Sequence, residues 1–509
     1  MARFNPTVKR VPEAPDTVNM AYGEAYQESV ELELVSILLT SLVQDQFYRS
    51  GAQAISRLDT LVDALVKDGK AYFAAQAAVY ARRTFGLRSI THLLAAGLAS
   101  RVRGADWTKD FYNVIVRRPD DLTEILALVM KTKKSIPNAL KDGLARALAR
   151  LNEYNLAKYK GNDKAVKMID AVNLLHPKAT DALGKLVRGE LSPADTWETG
   201  LSAAGQKAET TEQKAELKTV AWSDLVMEKK LGYLALVRNL RNILQNVTRE
   251  DVIQEVVVQL TNPEAIKKSL IFPFQLHTAY DMLCTAADLG QNGTAQRLII
   301  GALNKAAEIS LSNVPVFDGR TLIAMDLSGS MTDGKVGTST AAKVGGLFAA
   351  ILWRSNPGSD LMLFGSNAIY APLAMNDMSL FNLATALAHA DQGGTNFHNI
   401  FLKANKAYRR VIIISDMQAW ERYNVPTDAV KRYEAMFNCK PDIYSLDLCG
   451  LGTLQFPEKK VYAMAGFSDK IFDVMKMLET DRMALVNKIK EINISTEAMG
   501  LTAQAKKGK

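Results

Sequence analysis

The apolar residues Thr321-Leu322-Ile323-Ala324-Met325 run directly into Asp326-Leu327-Ser328-Gly329-Ser330, and this junction constrains the fold more than any other stretch of the chain. A short continuous apolar run of this kind reads as a strand buried on both faces, as found in parallel sheets covered by helices. Such sheets deliver side chains to their carboxyl edge, where open α/β folds place their ligands. Asp326, Ser328 and Ser330 stand at i, i+2 and i+4, separated by residues that can face away, so three oxygens can converge on one point. Oxygen donors that include a carboxylate suit a hard divalent cation, and Mg²⁺ is the first expectation. Gly329 lets the turn tighten between the two serines.

Two later segments extend the set. Gly393-Gly394-Thr395-Asn396 precedes a helical pattern and offers the Thr395 hydroxyl, while the apolar run Val411-Ile412-Ile413-Ile414 ends in Ser415-Asp416. The expected metal ligands are therefore Asp326, Ser328, Ser330, Thr395 and Asp416, drawn from three strand-end loops. This pattern resembles the metal-ion-dependent adhesion site of von Willebrand factor A domains. In such domains a partner's carboxylate often fills the ion's last position, so the resemblance implies an acidic protein ligand there. Around the site, helical patterns over 340–354, 380–389, 397–408, 428–437 and 471–478 alternate with strand patterns over 360–364, 411–414, 443–448 and 460–464. That alternation predicts a doubly wound α/β domain over residues 316–480.

A chain of 509 residues is too long for one core and implies two or more domains. Its 48% hydrophobic and 23% charged residues are ordinary for a soluble globular protein. No apolar run reaches the roughly 18 residues of a membrane span, and Met1-Ala2-Arg3-Phe4-Asn5-Pro6 carries no apolar signal core. Cys284, Cys439 and Cys449 are odd in number and widely spaced, which fits free thiols in a reducing compartment. The expectation is a cytoplasmic protein with no membrane partner.

The part before residue 316 is of another kind. After an N-terminal arm over 1–28, almost everything over 29–315 reads as helix, beginning with 32–47, 52–67, 70–84, 89–102, 109–117, 122–130 and 136–154. In the last of these, Ile136, Leu140, Leu144, Leu148 and Leu151 make one apolar stripe. Many short amphipathic helices in series predict a stacked, divergent helical-pair array. Residues 481–509 read as a C-terminal helix and a basic, frayed tail, and the Lys/Glu alternation of 205–218 as a solvated helix.

Charge is concentrated within the array. Residues 82–188 hold 21 Lys or Arg against 10 Asp or Glu, an excess larger than the +8 of the whole chain. A polyanion is the natural partner of such a surface. Lys133, Lys134, Lys141, Arg146, Lys158 and Lys160 belong to it, and Arg146 shares a helix flank with Arg150.

The helical half resembles the TROVE module of the Ro ribonucleoprotein family. The matching text includes Ala78-Val79-Tyr80-Ala81-Arg82-Arg83, Gly86-Leu87-Arg88-Ser89, Ala157-Lys158-Tyr159-Lys160, Asp170-Ala171-Val172-Asn173-Leu174-Leu175-His176-Pro177-Lys178 and Trp197-Glu198-Thr199. Leu231-Gly232-Tyr233-Leu234-Ala235-Leu236-Val237-Arg238-Asn239-Leu240-Arg241-Asn242 and Pro273-Phe274 follow, and Gly319-Arg320 then leads into the Asp326 strand. The resemblance covers roughly residues 25–480. It implies a ring of HEAT-like repeats with an A domain, binding small structured noncoding RNAs (Y RNAs) on a basic outer surface. It further implies capture of single-stranded 3′ ends of misfolded RNA in a central hole, a role in RNA quality control and RNP scaffolding, and in bacteria an exoribonuclease partner. His176 matches the family's RNA-contacting histidine, and Arg238 and Arg241, three apart in one helix, are candidates to line the hole.

Two other classes compete. A Mg²⁺-dependent nuclease needs carboxylates clustered to hold two ions about 4 Å apart, and neither that pattern, a Walker loop nor a nucleophile–base motif is present in the sequence. An adhesion-type scaffold would bind a protein at the ion and leave the basic array incidental. The expected function is thus noncatalytic RNA binding.

Overall fold

The computed structural model describes residues 17–18, 24–27, 29–40, 51–132, 135–159, 165–192, 210–286, 293–314, 316–333, 335–336, 339–390, 393–418, 426–449, 453–455, 461–465 and 484–507. Two compact units divide the chain. One comprises residues 1–101, 316–378 and 382–492; the other comprises 102–315, 379–381 and 493–509. Residues 29–101 of the helical module expected over 29–315 fall in the first unit and residues 102–315 in the second.

The first unit is built on strands. Strand β1 (Thr17–Val18) pairs antiparallel with β2 (Glu24–Gln27). Later come β3 (Thr321–Asp326), the hairpin of β4 (Lys335–Val336) and β5 (Ser339–Thr340), then β6 (Asp360–Phe364), β7 (Ala368–Tyr370), β8 (Arg410–Ser415), β9 (Asp442–Asp447), β10 (Thr453–Leu454) and β11 (Val461–Ala465). A six-stranded sheet has the order β11-β9-β8-β3-β6-β7, parallel throughout except for the edge strand β7. The predicted doubly wound α/β architecture is what the chain adopts.

Both faces of this sheet are covered. Leu322, Ala324, Val411 and Ile413 pack with Met362, Phe364, Phe397, Ile400 and Tyr433 in one buried cluster. On the other side Gly345, in the helix Ala341–Ser355, lies so near Met331, Leu448 and Ile414 that a Cβ would come within 3.4 Å of each. The helix expected over 397–408 stops at Lys403. Beyond it the Tyr408 amide donates to the Tyr433 hydroxyl (2.8 Å) and the Tyr408 hydroxyl donates to Asp360 Oδ2 (2.8 Å), so side chains hold the segment out of the helix before β8 begins. The helix expected over 471–478 lies outside the described residues.

Residues 1–101 join this unit through specific bonds. β2 pairs antiparallel with β10, Thr453 opposite Gln27 and Leu454 opposite Tyr26. The Gln76 side-chain amide donates to the carbonyls of Lys490 (2.7 Å) and Ile492 (2.8 Å). Helices Val30–Thr40, Gly51–Lys67, Ala71–Arg83 and Ser89–Arg101 supply its other apolar faces.

The second unit is helical. Asn138–Ala149 packs on Thr108–Ile115, burying Leu140, Leu144, Leu148, Phe111, Val114 and Ile115 completely. The single helix expected over 136–154 is in fact two. Asn152 accepts a hydrogen bond from the Asn155 amide (2.9 Å) and so starts a second helix, Glu153–Lys158; a side chain that competes for backbone amides breaks a pattern that periodicity alone would continue. The tail expected to fray is instead the helix Ile494–Lys507, started by Asn493 Oδ1 on the Thr496 amide (3.0 Å); it packs on Thr108–Ile115, and Ile494 is fully buried. Of the 205–218 segment, the described part forms the exposed first turns of the helix Thr211–Met227, whose later turns bury Trp222 and Val226. No described helix is long and apolar enough to cross a membrane.

Candidate functional site

Strand order places the site. From β3 the chain moves to β6 and β7 on one side and then returns to β8, β9 and β11 on the other. Connections thus diverge at the β3/β8 junction, and the divergence opens a crevice beyond the carboxyl ends of these two central strands. Asp326 ends β3, and Asp416 follows the last residue of β8.

Both carboxylates are buried, with Asp326 0% and Asp416 1% exposed. Asp326 Oδ1 accepts from the Ser328 amide (2.9 Å), and Asp326 Oδ2 accepts from the Ser415 hydroxyl (2.5 Å). Ser328 and Ser330 hydroxyls lie 3.2 Å apart. Ser330 also hydrogen-bonds the Asp416 carboxyl, whose Oδ1 accepts from the Gln418 amide (3.1 Å). Four of the five expected ligands are thereby joined in one network. Thr395 is buried (1% exposed) in the loop that Ser366 anchors through its hydroxyl on the Gly394 amide (2.8 Å); among the described residues it makes no hydrogen bond to the other four.

Burial pushes the Asp326 carboxyl well above the ordinary carboxylate range, against the opposing hydrogen bonds from Ser415 and Ser328. Burial likewise raises Asp416, and the neighbouring charge of Asp326 raises it further. Two like charges held together out of water are relieved either by protonation or by a bound cation. Among the described residues no group of three or more His, Cys, Asp or Glu forms a metal cluster, so any ion here would depend on hydroxyls as well as on the two carboxylates. That all-oxygen donor set fits Mg²⁺ and disfavours softer metals.

Sequence reading missed the residues that hold the ligands. Ser415 orients Asp326, and Asp447, 3% exposed at the end of β9 and opposite Ser415, adds a third negative charge felt by Asp416. Periodicity marks both as strand residues, and their roles depend on β8 lying between β3 and β9, which no local pattern encodes.

The basic residues are placed unevenly. Lys133, Lys134 and Lys160 lie outside the described residues. Lys141 is half-buried. Arg146 is exposed but paired with Asp142 (2.9 Å) and Asp110 (3.3 Å), and Arg150 donates to Asn113 Oδ1 (3.1 Å) and to the Asn113 carbonyl (2.8 Å), so the two arginines clamp neighbouring helices. Lys158 is exposed in the last turn of Glu153–Lys158, its Nζ 5.9 Å from the centre of the Tyr154 ring. His176 caps the helix Met168–Leu175 in the left-handed region (φ 47°), exposed, with Lys178 exposed beside it. Arg238 and Arg241 are exposed but do not share one helix: Asn239 ends Tyr233–Arg238 and begins Leu240–Asn246. Its buried side chain donates to the Ala235 carbonyl (2.9 Å) and accepts from Asn242 (2.9 Å), which stabilises the break.

Comparison with known proteins fits this architecture. The family described as the TROVE domain matches residues 177–298, and the Ro60 vWA domain matches residues 320–479. The RNA-binding protein RO60 of Deinococcus radiodurans is 26% identical over 333 residues, 57% of this chain and 61% of that relative. The chain therefore matches less than two thirds of that relative's length. The crystal structure of the Deinococcus radiodurans RO (RSR) protein shares the fold at a TM-score of 0.59 and 21% identity, covering 86% of this chain and 97% of that one. With a TROVE domain followed by a Ro-type von Willebrand factor A domain, this chain belongs to the TROVE-domain Ro family.

Proposed function

We propose that this protein is a noncatalytic, cytoplasmic RNA-binding protein of the Ro type. It binds structured noncoding RNA of the Y-RNA kind on its basic helical surface and single-stranded 3′ ends of misfolded RNA, in RNA quality control and RNP scaffolding. The observation that carries this reading is the placement of Lys158, His176 and Lys178 at exposed positions within a stretch holding 21 basic against 10 acidic residues. Phosphates and the shape of a duplex suit such a surface, while single-stranded ends suit a positively charged channel. The relative named as an RNA-binding protein supports the same assignment.

In this reading Asp326, Ser328, Ser330, Thr395 and Asp416 hold Mg²⁺. The bound ion supplies a Lewis-acidic position that an oxygen of an acidic protein partner can complete. An exoribonuclease acting on the captured RNA ends is a partner the same reading accommodates.

Gel-shift titration of a structured RNA carrying a single-stranded 3′ tail, beside a blunt duplex and at several salt concentrations, tests this function. The tailed RNA should bind more tightly, with log affinity falling by roughly 0.7 per contacted phosphate for each decade of salt. Equal, weak binding of both RNAs would sink the proposal. Replacing Lys158 and Lys160 by alanine together with His176→Asn should weaken binding to the structured RNA by about tenfold or more at matched salt, with far-UV circular dichroism unchanged. Asparagine is chosen at 176 because it tolerates the left-handed backbone found there. Unaltered affinity would remove these residues from the site.

A further inference from the structure

The residue after Asp416 has a backbone conformation that its side chain does not favour. Met417 has φ 59°, in the left-handed region where glycine is at ease and a long side chain is strained. Such strain persists only where surroundings over-determine it, and it gathers at functional loops. Here the surroundings can be named. The Met417 amide donates to the Ser415 hydroxyl (3.0 Å), its sulfur accepts from the Ser445 hydroxyl (3.0 Å), and its carbonyl accepts from the Gln455 side-chain amide (2.8 Å). The Met417 side chain is fully buried in the cluster beneath the sheet, and Gln455 is 1% exposed.

This turn decides where the Asp416 carboxylate points. Asp416 Oδ1 is fixed by the amide of Gln418, the residue that follows Met417. Rotating Met417 out of the left-handed region would carry that amide away from Asp416. Ser415 and Ser445 belong to the sheet and come with it, but Gln455 does not. It lies just after β10, which is outside the six-stranded sheet and is held by pairing with β2 near the N-terminus. Without its amide, the buried Met417 carbonyl would lose this donor and the turn would lose the bond that opposes its relaxation.

We infer that Gln455 is the positioning residue of the metal centre: it locks Met417 in the left-handed conformation and so presets the Asp416 carboxylate for the ion. Outer partners of this kind usually govern metal affinity by 10- to 100-fold. The inference rests on the reading of Asp326, Ser328, Ser330, Thr395 and Asp416 as a Mg²⁺ site. It also gives β2 a place in that site, two hydrogen-bonded steps from the Asp416 loop.

Isothermal titration of the full-length chain with Mg²⁺ tests it, with Gln455→Met as the principal variant because methionine keeps length and burial and removes the amide. Gln455→Met is expected to bind Mg²⁺ about tenfold more weakly than wild type. Adding Met417→Gly, which takes the left-handed conformation without strain, should return affinity to within about threefold of wild type. A purely structural role predicts the opposite, since the glycine adds a cavity to an already weakened core. Wild-type affinity in Gln455→Met, or no recovery in the double variant, overturns the assignment. A wild-type chain that takes up no Mg²⁺ removes the metal centre itself and this inference with it. Should Gln455→Met fail to fold, Met417→Gly in the wild-type background provides the readout: affinity equal to or above wild type supports the lock, and a tenfold loss refutes it.

Discussion

Asp416→Asn is expected to lower Mg²⁺ affinity by more than about 100-fold while leaving the metal-free chain no less stable than wild type. The two halves of this result have one cause. Asp416 is 1% exposed, and burial together with the charge of Asp326 disfavours its ionised form; Asp447 contributes in the same direction. Without an ion these carboxylates oppose the fold, so removing one charge relieves repulsion of about 1 kcal/mol even as it removes a ligand. Asparagine preserves an oxygen for the Gln418 amide, which keeps the turn intact. Calorimetric titration with Mg²⁺, paired with thermal unfolding in chelator, reads both halves. Affinity within threefold of wild type would show that Asp416 does not hold the ion. A large fall in metal-free stability would show that its role is architectural.

The second large effect is one of packing. Gly143→Ala should destabilise the helical unit by about 3 kcal/mol, the upper end of the cost of overpacking a core. A Cβ at Gly143 would overlap the Lys109 carbonyl oxygen and stand 2.5 Å from Tyr112 Cβ and 3.2 Å from the Asn113 nitrogen. Two of these three neighbours are backbone atoms of the helix Thr108–Ile115 and cannot rotate away. Relief requires separating that helix from Asn138–Ala149, which would open the seam of Leu140, Leu144, Phe111 and Ile115 and lengthen the bonds from Arg150 to Asn113. Gly301→Ala is the control with opposite sign. It lies in the interior of the helix Gly293–Ser310 with nothing within 4 Å of its Cβ position, so alanine there should add roughly 0.5–1 kcal/mol. Chemical denaturation of the two variants would rank them; equal stabilities would contradict the close helix contact.

These outcomes bear on how much was legible before folding. Local patterns identify a strand wherever burial is two-sided, and β3, β6, β8 and β9 fall where the apolar runs lie. The candidate donors Asp326, Ser328, Ser330 and Asp416 are legible in the same way, because each follows directly from a buried apolar run that brings it to the carboxyl edge of the sheet. What escapes is whatever depends on a side chain reaching across the fold. Asn152 and Asn239 each interrupt an apolar rhythm that continues through them, and the signal, an asparagine able to bond its neighbouring backbone, is visible only once the competing helix is in doubt. Gln455 and Ser445 are anonymous in sequence, since their value comes from the carbonyl and sulfur of a residue 38 and 28 positions away. The C-terminal segment reads as a frayed, soluble end, yet Ile494 and Ala498 are buried in its helix.

The pairing of β2 with β10 and the bonds from Gln76 to Lys490 and Ile492 have a consequence for biosynthesis. At a ribosome the first 101 residues emerge about 350 residues before the strands and carbonyls that complete their unit. At roughly 5–20 residues per second that interval lasts about 20–70 s, long against the microseconds in which helices form. Throughout it Leu34, Val35, Ile37 and Leu38, buried in the finished protein, have no complete core to enter. The nascent N-terminal helices are therefore the stretch of this chain most in need of a chaperone, and ribosome-bound intermediates stalled before residue 453 are where such an engagement would be caught.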